Sequence, residues 1–145
     1  MTDAPAPWHS TDAAFAPAQL EQGRIVLFFY PKDATSGCTV EVQQFRDLYP
    51  EFTQRGWQVI GVSRDSLRSH QRFIAAQQLP FALISDAQEV LCQRFDVIRD
   101  KVMYGKPARG LERSTFLLQD GRVLREWRKV KADGHAAVVL SALPE

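Results

Sequence analysis

Residues 24–30, Arg-Ile-Val-Leu-Phe-Phe-Tyr, carry no polar side chain between Arg24 and Tyr30. A strand with one face in water alternates polar and apolar residues. A short run that is apolar throughout belongs to a strand covered on both faces. Residues 57–63 (WQVIGVS) and 81–85 (FALIS) read as further strands. Between the first two, residues 38–54 place Val42, Phe45, Leu48, Tyr49 and Phe52 on one helical face. A sheet with strands of this kind needs a layer packed on each side, which fixes the class as α/β before any motif is considered.

The rest of the chain fills in the layers. Pro50 is expected to kink or shorten the first helix, and Gly56 to close it. Asp65 or Ser66 caps a helix running to about Gln78, with Leu67, His70, Phe73 and Ile74 facing inward. Asp86 starts a short helix carrying Val90, Leu91, Cys92 and Phe95. Residues 114–128 read as a hairpin, because Asp120-Gly121 accepts positive φ at its turn. Asp133 is expected to cap a last helix over 134–143. The order strand, helix, strand, helix, strand, helix, hairpin, helix suits a thioredoxin-like three-layer sandwich with a central mixed β-sheet. Residues 1–22, rich in Ala and Pro, read as an irregular lead-in, and 23–145 as the single domain.

Charge and cysteine usage narrow the function. With 18 basic and 17 acidic side chains, the formal net charge is +1, which gives no footprint for nucleic acid or an anionic membrane. No apolar segment approaches the ~20 residues of a membrane span, and the first residues lack the basic-then-apolar order of a secretory signal. A cytoplasmic location is the expectation. The two cysteines, Cys38 and Cys92, form neither a Cys-x-x-Cys pair nor a metal-spaced Cys/His cluster.

Cys38 stands where the first strand has ended at Pro31 and a helix begins. The thiolate is the nucleophilic form of cysteine, and a free thiol has a pKa of about 8.5, so a reactive cysteine needs something that favours the anion. Unpaired N–H groups and the dipole of a helix's first turn do so. Ligands in α/β sheets also bind beyond the carboxyl ends of strands, where Cys38 lies. Thr35 can bring a hydroxyl to the same place, and Pro31 fixes the loop and shields the thiol. The bland alternative is a cysteine packed as a small apolar group. A cation is missing locally. His9, His70 and His135 are all remote in sequence and read as surface or helix residues. Arginine is the better candidate, but composition does not choose among the arginines.

Pro31, Thr35 and Cys38 match the Pro-x-x-x-Thr-x-x-Cys motif of peroxiredoxins. The surrounding FFYPKDATSGCTVEVQQFRD resembles the bacterioferritin comigratory protein, or peroxiredoxin Q, branch. ISDAQEVLCQRFDV and MYGKPARGLERSTFLLQDGRV extend the resemblance over roughly residues 23–143. It implies a peroxidase acting on hydrogen peroxide and organic hydroperoxides that needs no metal or organic cofactor. Cys38 would be the peroxidatic nucleophile, Thr35 a hydrogen-bond partner of thiolate and peroxide, and Arg113 the active-site arginine brought in from a later strand. Pro31 would shield the pocket. Glu41 also fits the branch's pattern, though an acid in a helix's first turn is stabilised by the dipole in any case.

The sequence departs from that branch where many members carry a second, resolving cysteine. Gln43 and Ile74 occupy those positions, and the remaining thiol, Cys92, reads as a core residue among Val90, Leu91 and Phe95. A one-cysteine mechanism follows, with thioredoxin, glutaredoxin or glutathione attacking the oxidised Cys38, in a monomer or weak dimer. The lead-in also looks shorter than the branch's usual opening hairpin. The rival reading is a thioredoxin-like peroxide sensor or binding protein without efficient turnover. A disulfide reductase lacks its Cys-x-x-Cys, and a Cys–His hydrolase lacks a histidine in a catalytic setting.

Overall fold

The computed structural model describes residues 7–144. A six-stranded sheet forms the centre. It comprises β1 (His9–Ser10), β2 (Arg24–Phe29), β3 (Gln58–Ser63), β4 (Leu83–Ser85), β7 (Ser114–Gln119) and β8 (Arg122–Trp127), in the order β1-β4-β3-β2-β7-β8. β2, β3 and β4 run parallel, while β1, β7 and β8 are antiparallel to their neighbours, so the sheet is mixed as expected. The helices are α1 (Pro17–Leu20), α2 (Ser36–Gln54), α3 (Leu67–Gln77), α4 (Val90–Arg94) and α5 (His135–Ser141). β5 (Ile98–Met103) and β6 (Lys106–Leu111) pair as a separate two-stranded arm.

The uninterrupted run in β2 is divided between two cores. Val26, Phe28 and Tyr30 pack with Val42, Phe45 and Phe52 of α2, Phe73 of α3 and Val139 of α5. Ile25, Leu27 and Phe29 face the opposite way, toward Trp8, Phe15, Leu20, Leu91 and Phe95. Successive side chains of a strand point to opposite faces, so each core takes every second residue. Phe28 stacks on Phe45 with ring centroids 4.6 Å apart, and Phe29 meets Phe116 edge-on at 5.6 Å.

The ends of the elements follow their local chemistry, with some departures. α2 passes through Pro50 and is not shortened by it. Its end is a Schellman motif: Gly56, at φ +80°, donates to the Thr53 carbonyl and Trp57 to that of Phe52. Ser66, rather than Asp65, caps α3 by accepting from the Ser69 amide. Asp120 and Gly121 both have positive φ and make the two-residue turn between β7 and β8.

Asp133 does not cap α5. Gly134 holds that position, while Asp133 Oδ1 accepts from Gln44 Nε2, and Gln44 Oε1 accepts from the Gly134 amide. A glutamine of α2 thus satisfies the start of α5. The lead-in also differs from its expectation, since residues 7–22 hold β1 and the single helical turn α1. Trp8, Phe15 and Leu20 are buried against the sheet, because they cover the face of β2 that α2 leaves bare.

The arm was not anticipated. Most of its described side chains lie in solvent, so it carries no apolar alternation to read. Its only strong signal is Tyr104-Gly105, both at positive φ, which turns β5 into β6.

Candidate active site

Topology brings two remote segments together. β2 and β7 are antiparallel, with Phe29 opposite Ser114. The start of β7 therefore lies beside the end of β2, where the chain leaves the sheet for α2. Arg113 immediately precedes β7, and Cys38 is the third residue of α2. Arg113 Nη2 donates to Cys38 Sγ at 3.4 Å, and Nη1 donates to Glu41 Oε1 at 2.7 Å. Gly37 leaves room for this approach, since a Cβ there would make a tight 3.2 Å contact with Arg113 Nη2.

The helix start faces the same spot. Thr35 is the N-cap of α2, and the first bond of the ladder runs from the Thr39 amide to the Thr35 carbonyl. The amides of residues 36–38 fall outside that ladder, at the positive end of the helix dipole. Cys38 itself is 1% exposed. The Thr35 hydroxyl donates to the Lys32 carbonyl at 2.8 Å, closing the turn that leads into the helix. Pro31 and Arg113 line a cleft of about 510 Å³ together with Leu111, Val130 and residues of the arm, and neither Cys38 nor Thr35 lines it.

Glu41 is fully buried, and its Oε2 is one of two buried side-chain polar atoms without a hydrogen-bond partner among the described residues. Burial pushes its carboxyl up to about 7, against the pull of the Arg113 charge. Arg113 stays charged: Glu41 and Cys38 raise its pKa although burial opposes them. His135, across the core, is held down to about 4 by burial and then by Arg113; its Nε2 lies 2.7 Å from Thr115 Oγ1. It is therefore a neutral core residue. A half-buried, permanently charged donor and the first-turn amides of a helix thus converge on one sulfur.

The profile of the AhpC/TSA family matches residues 7–127. The chain belongs to that family. It is 55% identical over 120 residues to the peroxiredoxin Bcp of Xanthomonas campestris, covering 82% of this chain and 75% of the relative. It is 46% identical over 122 residues to that of Bacillus subtilis, covering 83% and 78%. A cysteine-to-serine mutant of X. campestris peroxiredoxin Q superposes with a TM-score of 0.87 at 47% identity, over 93% of this chain and 87% of that one. A further X. campestris structure, described in terms of the alkyl peroxide reduction activity of its bacterioferritin comigratory protein, gives 0.80 at 52% identity over 84% and 79%. This chain is thus a peroxiredoxin of the Bcp, or peroxiredoxin Q, type, with the thioredoxin fold of those enzymes, and a thiol-dependent peroxidase.

The second thiol of this peroxiredoxin is placed far from the first in topological terms. Cys38 belongs to the core on the α2 side of the sheet, and Cys92 to the core on the other face. Cys92 is completely buried, and its amide donates to Asp86 Oδ2 at 2.8 Å. Burial and then the Asp86 carboxylate push its thiol far above the usual range. Asp86 thus does serve the start of α4, accepting from Leu91 as well. Gln43 bonds Gln77 of α3 through its amide at 2.8 Å, and Ile74 packs at the edge of the core.

Sequence reasoning missed a polar cluster beside the peroxiredoxin motif. His70, expected to face inward from its helix, is fully buried on α3. It joins Asp33, Tyr30 and Ser69 in one network. Its inward position on α3 was legible from helical spacing, and its partner, which lies 37 residues earlier, was not.

Proposed function

We propose that this peroxiredoxin reduces hydrogen peroxide and organic hydroperoxides through Cys38, by a one-cysteine mechanism completed by an external thiol. The observation that carries the reading is the 3.4 Å contact of Arg113 Nη2 with Cys38 Sγ at the free amides of α2. The alkyl peroxide reduction ascribed to the similar X. campestris protein supports organic hydroperoxides as substrates.

The Cys38 thiolate attacks the terminal oxygen of the hydroperoxide along the O–O axis. The S–O bond forms as the O–O bond breaks, and the electron pair leaves on the distal oxygen. That oxygen takes up a proton and departs as water or alcohol, and Cys38 is left as sulfenic acid. Arg113 and the first-turn amides are positioned to stabilise the charge moving onto the leaving oxygen. The Thr35 hydroxyl needs only to turn from the Lys32 carbonyl to reach a peroxide at the helix start. Glu41 holds the guanidinium, and Pro31 walls the site on the cleft side. A small thiol or a thiol protein then attacks the sulfenic sulfur, releasing water and forming a mixed disulfide. A second thiol breaks that disulfide and restores Cys38. Glutathione, glutaredoxin and thioredoxin supply thiols of this kind. The placement of Cys92 in the core across the sheet supports an external resolving thiol, because pairing with Cys38 would require local unfolding.

The test is the intact mass of reduced protein after one brief equivalent of peroxide without thiol. One added oxygen is expected, and Cys38→Ser should show none. Loss of two hydrogens at monomer mass would mean that Cys92 resolves and would sink the one-cysteine reading.

A further inference from the structure

We propose that His70 is a positioning residue for the peroxidase reaction, acting through Asp33 to hold the turn that sets the start of α2. The proposal rests on the reading of Cys38 as peroxidatic nucleophile.

His70 is 0% exposed, and both of its ring nitrogens face acceptors. Nε2 lies 2.9 Å from the Ile84 carbonyl oxygen, which can only accept. Nδ1 lies 2.7 Å from Asp33 Oδ2. The same carboxylate accepts from Ser69 Oγ at 2.7 Å and, through Oδ1, from Tyr30 Oη at 2.5 Å. Burial works against the ionised Asp33. The bonds from His70 and Tyr30 outweigh it and hold the carboxyl below the ordinary carboxylate range. The ring thus links the Ile84 carbonyl of β4 to the Asp33 carboxylate in the turn after β2, where the Ser69 and Tyr30 hydroxyls also converge.

That turn needs an anchor. Ala34, next to Asp33, has φ +61°, a left-handed conformation that strains a residue with a Cβ. Asp33 is also held through its backbone, its amide donating to Asp65 Oδ2 at 3.0 Å. Asp65 is fixed in turn by Ser63 Oγ. The strained residue is therefore clamped on its N-terminal side by Tyr30 and Asp65, which follow β2 and β3, and by Ser69 and His70 of α3. On its other side Thr35 closes the turn onto Lys32 and caps α2. Cys38 follows three residues later, so a shift of Asp33 moves the thiol relative to Arg113, which is anchored on a different strand. None of these network residues touches Cys38 or Arg113 through the contacts described, so their influence is positional.

Single-turnover oxidation of Cys38 by hydrogen peroxide tests this, alongside alkylation of Cys38 by iodoacetamide in a Cys92→Ala background. His70→Gln keeps a donor but spans only one of the two acceptors. It should slow oxidation about tenfold, the size expected when reacting groups are misplaced by a fraction of an ångström, while alkylation holds or rises. A merely destabilised protein would lose neither rate selectively. Asp33→Asn should give a similar loss, and the double variant no more than either single change, because both act through one contact. Peroxide oxidation of folded His70→Gln within twofold of the parent overturns the proposal, as do losses that multiply in the double variant. Should His70→Gln fail to fold by circular dichroism, Asp33→Asn decides by the same twofold limit. A parent protein whose Cys38 does not oxidise would overturn the peroxidase reading and the proposal with it.

Discussion

Replacing Arg113 with Met removes the only charged donor that reaches the Cys38 sulfur among the described residues, while keeping much of the side chain's bulk. Loss of one preorganised donor to developing negative charge costs about 3–4 kcal/mol of transition-state stabilisation, or roughly 10²–10³ in rate. The effect on stability is smaller, because of Glu41. A buried carboxylate that loses its partner costs several kcal/mol if it stays ionised. The Glu41 carboxyl already sits at about 7 with Arg113 beside it, and no other group pulls it down, so in the variant it stays protonated at neutral pH and escapes that cost. The parent protein carries the same proton linkage. Its folded value of about 7 is raised above the ordinary 4.5, so the contribution is complete below pH 4.5 and is lost as pH rises through 7. At 1.36 kcal/mol per unit that loss is about 3 kcal/mol. Stopped-flow peroxide oxidation at pH 7 checks the rate, and thermal melts between pH 5 and pH 8.5 check the linkage. An Arg113→Met protein that is folded and reacts within threefold of the parent refutes the assignment of Arg113. A Glu41→Gln protein whose melting temperature falls with pH as steeply as the parent's refutes the linkage.

Cys92→Ala should keep turnover with an external thiol and still gain one oxygen at Cys38, at a cost of about 1 kcal/mol for the small cavity left in a closed core. Equilibrium denaturation and thiol-coupled peroxide consumption measure the two effects. Gly37→Ala should move stability and reactivity in opposite directions. Alanine favours the helix by up to about 1 kcal/mol, while its Cβ, 3.2 Å from Arg113 Nη2, displaces the guanidinium and slows Cys38 oxidation several-fold. A variant that is both more stable and fully reactive would show that the guanidinium position is not critical.

The parts of this protein legible in sequence are those fixed by local pattern. β2 and β3 declare themselves because both faces are buried, and the β7–β8 turn because Asp120-Gly121 takes positive φ. Ser66 capping α3 and Gly56 ending α2 are equally local. What was lost depends on partners distant in the chain. Asp133 looks like a cap until Gln44, 89 positions earlier, engages both it and Gly134. Residues 7–22 look irregular because their three core contributors are spaced by the sheet they cover and by no helix or strand of their own. At the site, the Pro31–Cys38 spacing is readable, but Arg113 lies 75 positions away and only family resemblance singled it out. The Asp33–His70 pair had no comparable signal, since neither residue stands in a motif that names the other.

On the proposed one-cysteine mechanism, the burial of Cys38 sets two demands against each other. Reaction with a small peroxide benefits from a site that excludes water, where Arg113 acts at low dielectric. Reaction of the sulfenic acid with a thiol as large as glutathione, or with a protein, needs the sulfur uncovered. The packing of α2 indicates how far the opening extends. From Val42 onward the helix is tied into the core through Val42, Phe45 and Phe52. Ahead of Val42 it is held by the packing of Cys38 itself in that core, by the Arg113–Glu41 contact and by the network on Asp33. In the proposed reaction, oxidation of Cys38 would place an oxygen on the sulfur that Arg113 contacts and so weaken the Arg113 hold on the helix start at the step where access is required. Fraying confined to one or two turns would present the sulfur to an incoming thiol while the sheet, and Cys92 behind it, stays closed. On this reading, hydrogen exchange of the amides of residues 36–40 accelerates on oxidation of Cys38 while that of residues 45–52 does not change. Equal acceleration along the whole of α2 would instead mean that the helix opens as a unit, and that the core anchors at Val42 and Phe45 do not limit the motion.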